Sequence, residues 1–195
     1  NWYAYVGNDP MNKSDPTGLY ICSGSKSDCG AISDYVNTAQ NALSNLDSKS
    51  DAAKKLSATL NYLGAPGVKN GVTIQSASLR SGTMANAGPG GLIKVDIQQI
   101  NATGARADYA SANPGMTTSE IQRGVGATAV IHEARHELDF NRLGFPSNRE
   151  QEYRTELNAS RTGVGIGQGL NMNNGFYAPG ATQQQMDDAV QKSAQ

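Results

Sequence analysis

Histidine is nearly absent from this chain, with 2 among 195 residues. Cysteine is as scarce, also 2, and aromatic residues make up 6%. So few aromatics beside 22 glycines point to a loop-rich domain with a modest core. No apolar run approaches the roughly 18 residues of a membrane-spanning helix. Neither sign of charge dominates: 16 Lys and Arg stand against 17 Asp and Glu. That balance, with no basic stripe, argues against a general nucleic-acid binder. The opening Asn1-Trp2-Tyr3-Ala4 lacks a basic region followed by an apolar stretch and does not read as a secretory signal peptide. Cys22 and Cys29 lie in a Ser/Gly-rich stretch, where they could close a small disulfide or remain thiols. No further ligands nearby would make them a zinc site.

The two histidines stand together. The run Val130-Ile131-His132-Glu133-Ala134-Arg135-His136 reads His-Glu-x-x-His after apolar residues. On a helix of about 100° per residue, His132 and His136 fall about 40° apart and one turn along, so both rings can reach one metal ion. Glu133 points beside that axis, where it can act on water without occupying a coordination position. Two randomly placed histidines take this spacing about once in a hundred times, and the glutamate lowers the chance by roughly another 20-fold.

Around the motif, spacing predicts one domain from Tyr20 onward. Residues 21–32 read as a linker. Helices are expected over 33–48 and 49–63, the second ending at Gly64. Strands are expected over 71–77 and 92–97, with a Gly88-Pro89-Gly90-Gly91 turn before the second. Residues 101–117 read as a loop, 126–140 as the motif helix, 148–160 as a helix capped by Ser147 or Asn148, 163–181 as a Gly/Asn-rich loop, and 182–194 as a last polar helix.

Residues 1–19 are of a different kind. A short strand from Trp2 to Val6 is followed by two turns, Asn8-Asp9-Pro10 and Asp15-Pro16-Thr17-Gly18, too little to build a core. Tyr3, Tyr5, Asn8, Pro10, Asp15, Pro16, Gly18 and Leu19 match the spacing Tyr-x-Tyr-x-x-Asn-x-Pro-x-x-x-x-Asp-Pro-x-Gly-Leu. This segment resembles the end of the core domain in Rhs and related YD-repeat proteins. In that family the repeats build a hollow shell, and a variable toxic domain follows the motif. The resemblance implies two units, 1–19 as the tail of the shell and 20–195 as a toxin. It implies release by cleavage between Leu19 and Tyr20, with Asp15 one of the aspartates in machinery whose other parts lie upstream. It also implies an encapsulating Rhs core, a cognate immunity protein, and delivery into a target cell by a type VI or related secretion system.

A catalytic zinc site keeps three protein ligands and one open position, so His132 and His136 need a partner. The helix 148–160 offers Glu150, Glu152 and Glu156. Glu156 lies 20 residues past His136, the spacing of thermolysin-like enzymes, which the arrangement resembles. In those enzymes the residue four after the glutamate ligand is an acid that supports a histidine. Glu152 followed by Glu156 reproduces that pair, whereas Glu156 is followed by Ser160. The Glu-Tyr-Arg-Thr run also resembles zinc peptidase effectors of bacterial pathogens. On this ground Glu152 is the preferred third ligand, with Glu156 the alternative.

The implied fold is α+β and zincin-like: a small mixed sheet, an active-site helix and several packing helices. Zn2+ would act as a Lewis acid and lower the pKa of water at the site, with Glu133 as general base. Tyr153, Tyr177 and Arg161 are candidate oxyanion donors. The strand at 92–97 could be an edge against which an extended substrate peptide lies. The expectation is a zinc metallopeptidase toxin acting on a target-cell protein, with no nucleic acid partner. A metal-dependent hydrolase of a non-protein amide such as peptidoglycan, and a non-enzymatic adaptor with structural histidines, are the competitors.

Overall fold

The computed structural model describes residues 13–14, 20–64 and 71–193. Its sheet runs in the order β1-β2-β3-β5-β4: β1 (Lys13–Ser14), β2 (Ile21–Ser23), β3 (Thr73–Ser76), β4 (Ala85–Gly88) and β5 (Leu92–Val95). β2, β3 and β5 are parallel, and the two outer strands are antiparallel to their neighbours. Seven helices occur among the described residues: α1 (Lys26–Ser44), α2 (Asp51–Leu63), α3 (Ile97–Gly104), α4 (Ala107–Ala112), α5 (Thr118–Leu143), α6 (Arg149–Leu170) and α7 (Gln183–Ser193). The class is α+β with a small mixed sheet.

The core follows from the two-residue alternation of the strands. Cys22 stands opposite Ile74, Ile74 opposite Ile93, and Ile93 opposite Ala87. Cys22, Ile74 and Ile93 are completely buried. α1 lies against β2 and β3, and α5 against β4 and β5. Burying each isoleucine contributes about 1.5–3 kcal/mol. Tyr20, the residue after the expected cleavage point, is buried in this core, and Ile21 N–H donates to Val72 C=O at 3.0 Å. Asp15 and Leu19 lie outside the described residues.

Several expected boundaries move for identifiable reasons. The stretch expected as a linker holds β2 and the first turns of α1, which Ser25 and Asp28 start with a reciprocal capping box. Cys22 and Cys29 form a disulfide joining β2 to α1. The stretch expected as a loop before the motif holds the second half of α3, which Asp96 caps, and all of α4. α5 begins at Thr118 rather than near Gly126, because Thr117 and Glu120 form another capping box. Its Gly126 is no breaker: a Cβ there would come within 2.4 Å of the Tyr35 ring. The glycine-rich stretch after Arg161 likewise begins as helix, for α6 runs on to Leu170. A Cβ at Gly169 would come within 2.1 Å of the Ala42 carbonyl oxygen. Each helical glycine costs up to about 1 kcal/mol in propensity; close helix packing offsets it.

β5 is not an edge. It lies between β3 and β4, so the expected edge at 92–97 is corrected to β4, Ala85–Gly88. The Gly88-Pro89-Gly90-Gly91 turn is the connection of a β4–β5 hairpin, and β4 takes the outer place.

The disulfide closes a short loop within a buried corner, with Cys22 and Cys29 both under 4% exposed. For so short a loop the chain-entropy contribution is about 2–3 kcal/mol. Replacing both by serine is therefore expected to lower the urea unfolding free energy by about that amount. An unchanged midpoint in the double variant would contradict the bond's structural role.

Candidate metal centre

α5 and α6 form an antiparallel hairpin, and that geometry assembles the site. His136 lies seven residues before the end of α5, and Glu156 lies seven residues after the start of α6, so they stand level. Glu152 is one turn nearer the loop, level with Phe140, and is exposed. The preference for Glu152 is thus corrected: the glutamate brought to the histidines is Glu156. The acid-after-acid pattern misled because the hairpin sets which glutamate faces the histidines; Ser160, four residues after Glu156, donates to Glu156 Oε1 at 3.4 Å rather than supporting a histidine.

Three electron-pair donors converge. His132 Nε2 and His136 Nε2 are 3.2 Å apart. His132 Nε2 lies 3.2 Å from Glu156 Oε1, and His136 Nε2 lies 3.0 Å from Glu156 Oε2. Ligands at zinc bond lengths and tetrahedral angles stand about 3.3 Å apart. Two imidazole nitrogens turned toward each other and toward a carboxylate fit a cation between them. One feature departs from the usual metal histidine: both Nδ1 atoms are buried with no hydrogen-bond partner among the described residues, where a carboxylate or carbonyl commonly sits.

Glu133 stands next to this group and is not part of it. Its Oε2 accepts the Ala87 N–H of the edge strand at 2.8 Å. Aromatic rings flank both histidines. Phe176 stacks on His132 at 5.9 Å, and Phe140 on His136 at 5.7 Å. Arg135 Nε donates to Asp139 Oδ2 at 3.1 Å, its second nitrogen lies 2.9 Å from Oδ1, and Asn158 Nδ2 donates to Oδ2 at 3.2 Å. This triad, with Asp139 as its buried member, ties α5 to α6 close to Glu156 in the chain. Its i,i+4 spacing was a signal in the sequence. Phe176 and the Ala87 amide left none, since both arrive from distant segments.

The expected oxyanion donors separate by position. Tyr153 is half-buried, one turn before Glu156 and about 60° around α6. Tyr177 is half-buried beside Phe176. Arg161 is exposed and about 140° around the helix from Glu156, away from the site.

Electrostatics follow from the crowding. Burial pushes the Glu156 carboxyl up, but hydrogen bonds from His132 and His136, with their charge, outweigh it and hold the group well below the usual carboxylate range. Burial pulls His136 down, but the Glu156 hydrogen bond and the charges of Glu133, Glu156 and Asp139 hold it above its ordinary 6.5. Glu137 is raised, chiefly by burial, while the Gly91 and Gly88 amides and His136 draw it partly back.

These directions set a pH dependence. In metal-free protein the raised His136 contributes stability that is fully present below 6.5 and is lost as pH rises through its folded value. The depressed Glu156 contributes stability present above 4.5 and lost as pH falls through its folded value. A metal ion needs His136 deprotonated and competes with its proton. The rise in Tm on adding zinc is therefore expected to be small near about pH 5 and to grow as pH passes 6.5 toward about 8. A zinc-induced shift independent of pH would contradict ligation by His136.

The chain is thus a mixed α+β domain with a His/His/Glu group able to hold a metal ion. No helix among its described residues is long and apolar enough to cross a membrane. No family model, curated protein or solved structure matches it.

Proposed function

We propose that this chain is the toxic end of an Rhs-type polymorphic toxin and acts as a zinc-dependent peptidase on a target-cell protein. The observation that carries the catalytic reading is the convergence of His132, His136 and Glu156 beside an uncoordinated Glu133. Zinc held by those three residues would polarise the scissile carbonyl and lower the pKa of water. Glu133 takes the proton from the attacking water and returns it to the leaving amine. The Ala87 amide supports this role by orienting the carboxylate at the sheet edge.

The edge also supports a peptide substrate. Met84 C=O accepts from Asp96 N–H at 2.8 Å, and Asn86 stands opposite Lys94. Alternate residues Ala85 and Ala87 therefore turn their peptide groups outward, the Ala87 N–H onto Glu133. An extended peptide adding to β4 passes beside Glu133. Phe140 and Phe176 shield the histidine rings from water.

The motif in residues 1–19 supports the delivery part: storage in an Rhs shell, release at Leu19–Tyr20, passage through a type VI or related secretion system, and a cognate immunity protein in the producer. The test is zinc-loaded protein incubated with target-cell lysate, with new protein termini mapped by mass spectrometry. New internal termini, lost with chelator and restored by zinc, are the expected result. An identical set of termini with and without chelator would remove the peptidase reading.

A further inference from the structure

Glu137 directly follows the second histidine, yet the proposed reaction does not use it. It is 3% exposed, and its Oε1 has no hydrogen-bond partner among the described residues. A buried carboxylate is costly unless a cation or a donor meets it; the Gly91 and Gly88 amides supply donors to Glu137, and Oε1 remains without one. Glu137 lines a cavity of about 300 Å³ with Tyr62, Phe140, Phe145, Asn141 and Gly91. Three aromatic rings around one buried carboxylate suit a long side chain ending in a cation: the rings take the alkyl stem and the charge, and the carboxylate takes the N–H donors.

The cavity lies beside the metal centre, with Phe140 in its wall. Phe140 stacks on His136, and Phe145 stacks on Phe140 at 4.7 Å. Phe145 is 57% exposed, which puts it at the mouth. Glu133 and Glu137 are one turn apart on α5, about 6 Å along the axis. An extended peptide advances about 3.3 Å per residue, so a side chain about two residues from the bond at Glu133 reaches the cavity.

We propose that this cavity is a subsite for a lysine or arginine side chain of the substrate, with Glu137 as its counter-ion. Its use in catalysis rests on the peptidase reading; its preference for a cation does not. Two measurements separate the two. In the first, zinc-loaded protein digests a peptide library and the cleavage sites are sequenced. Lys or Arg is expected at one fixed position within about three residues of the bond, enriched about tenfold over neutral residues. Glu137→Gln is expected to lose that enrichment, and Phe145→Ala, at an exposed position, to weaken it with the fold intact. In the second, N-acetyl-lysine methylamide and its norleucine analogue are titrated in by NMR. The cation is expected to shift resonances of Tyr62 and Asn141, the neutral analogue not, and Glu137→Gln to weaken the cation about tenfold or more. Cleavage with no basic preference, or equal binding of both probes, overturns the subsite and leaves the peptidase standing. Glu137-dependent cation binding without cleavage keeps the cation site and overturns the peptidase.

Discussion

Glu133→Gln is expected to lower kcat/KM for peptide cleavage by about a thousandfold, within the range that a positioned general base contributes, and to leave the metal content unchanged. The reason is geometric. Glu133 is outside the group of donors formed by His132, His136 and Glu156. Its contact with the scaffold is the Ala87 N–H on Oε2, a bond that a glutamine oxygen also accepts. The substitution therefore keeps size, hydrogen bonding and fold, and removes only the ability to take up a proton. Turnover close to wild type in a variant that still carries its metal would sink the general-base role.

The second large effect separates the two glutamates. Glu156→Ala and His136→Ala are expected to lose bound zinc during dialysis, read as metal per chain by mass spectrometry. Glu152→Ala is expected to keep about one zinc per chain, as a site with its three protein ligands intact should. Even outer partners of metal ligands are worth about 10–100-fold in affinity, so removing a ligand should cost at least as much. Glu156 lies between both imidazoles at 3.0 and 3.2 Å, whereas Glu152 is exposed one turn away. Zinc lost from the Glu152 variant and kept in the Glu156 variant would overturn the geometry described above.

The same pair shows where sequence reading loses its grip. The helix pitch and the short loop after Leu143 were both readable, and counting residues outward from the loop places Glu156 level with His136. Analogy with an acid four residues downstream pointed the other way, and it failed because the helix hairpin, not the downstream residue, sets which glutamate meets the histidines. Glycines misled in a similar manner. The glycines at 163, 165, 167 and 169 read as loop, and Gly126 as the start of a helix rather than its interior, because propensity is a local quantity. Their helical state is decided by what packs against them, such as the Tyr35 ring and the Ala42 backbone. The strand at 92–97 was legible as a strand; its neighbours were not, since pairing partners belong to distant segments.

Two imidazoles on one helical face with a carboxylate beside them are a property of the sequence alone, because 3.6 residues per turn permits little else for that spacing. Helix starts at Ser25, Ser50 and Thr117 are equally local, since a cap is set by neighbours three residues away. Only the tertiary structure decided the rest. The α5–α6 hairpin chose Glu156, the placement of β4 at the sheet edge gave Glu133 its Ala87 partner, and the loop after α6 carried Phe176 onto His132. Each of these contacts joins residues at least 20 positions apart, and at that separation the chain's path through space, not its local preferences, determines which groups meet.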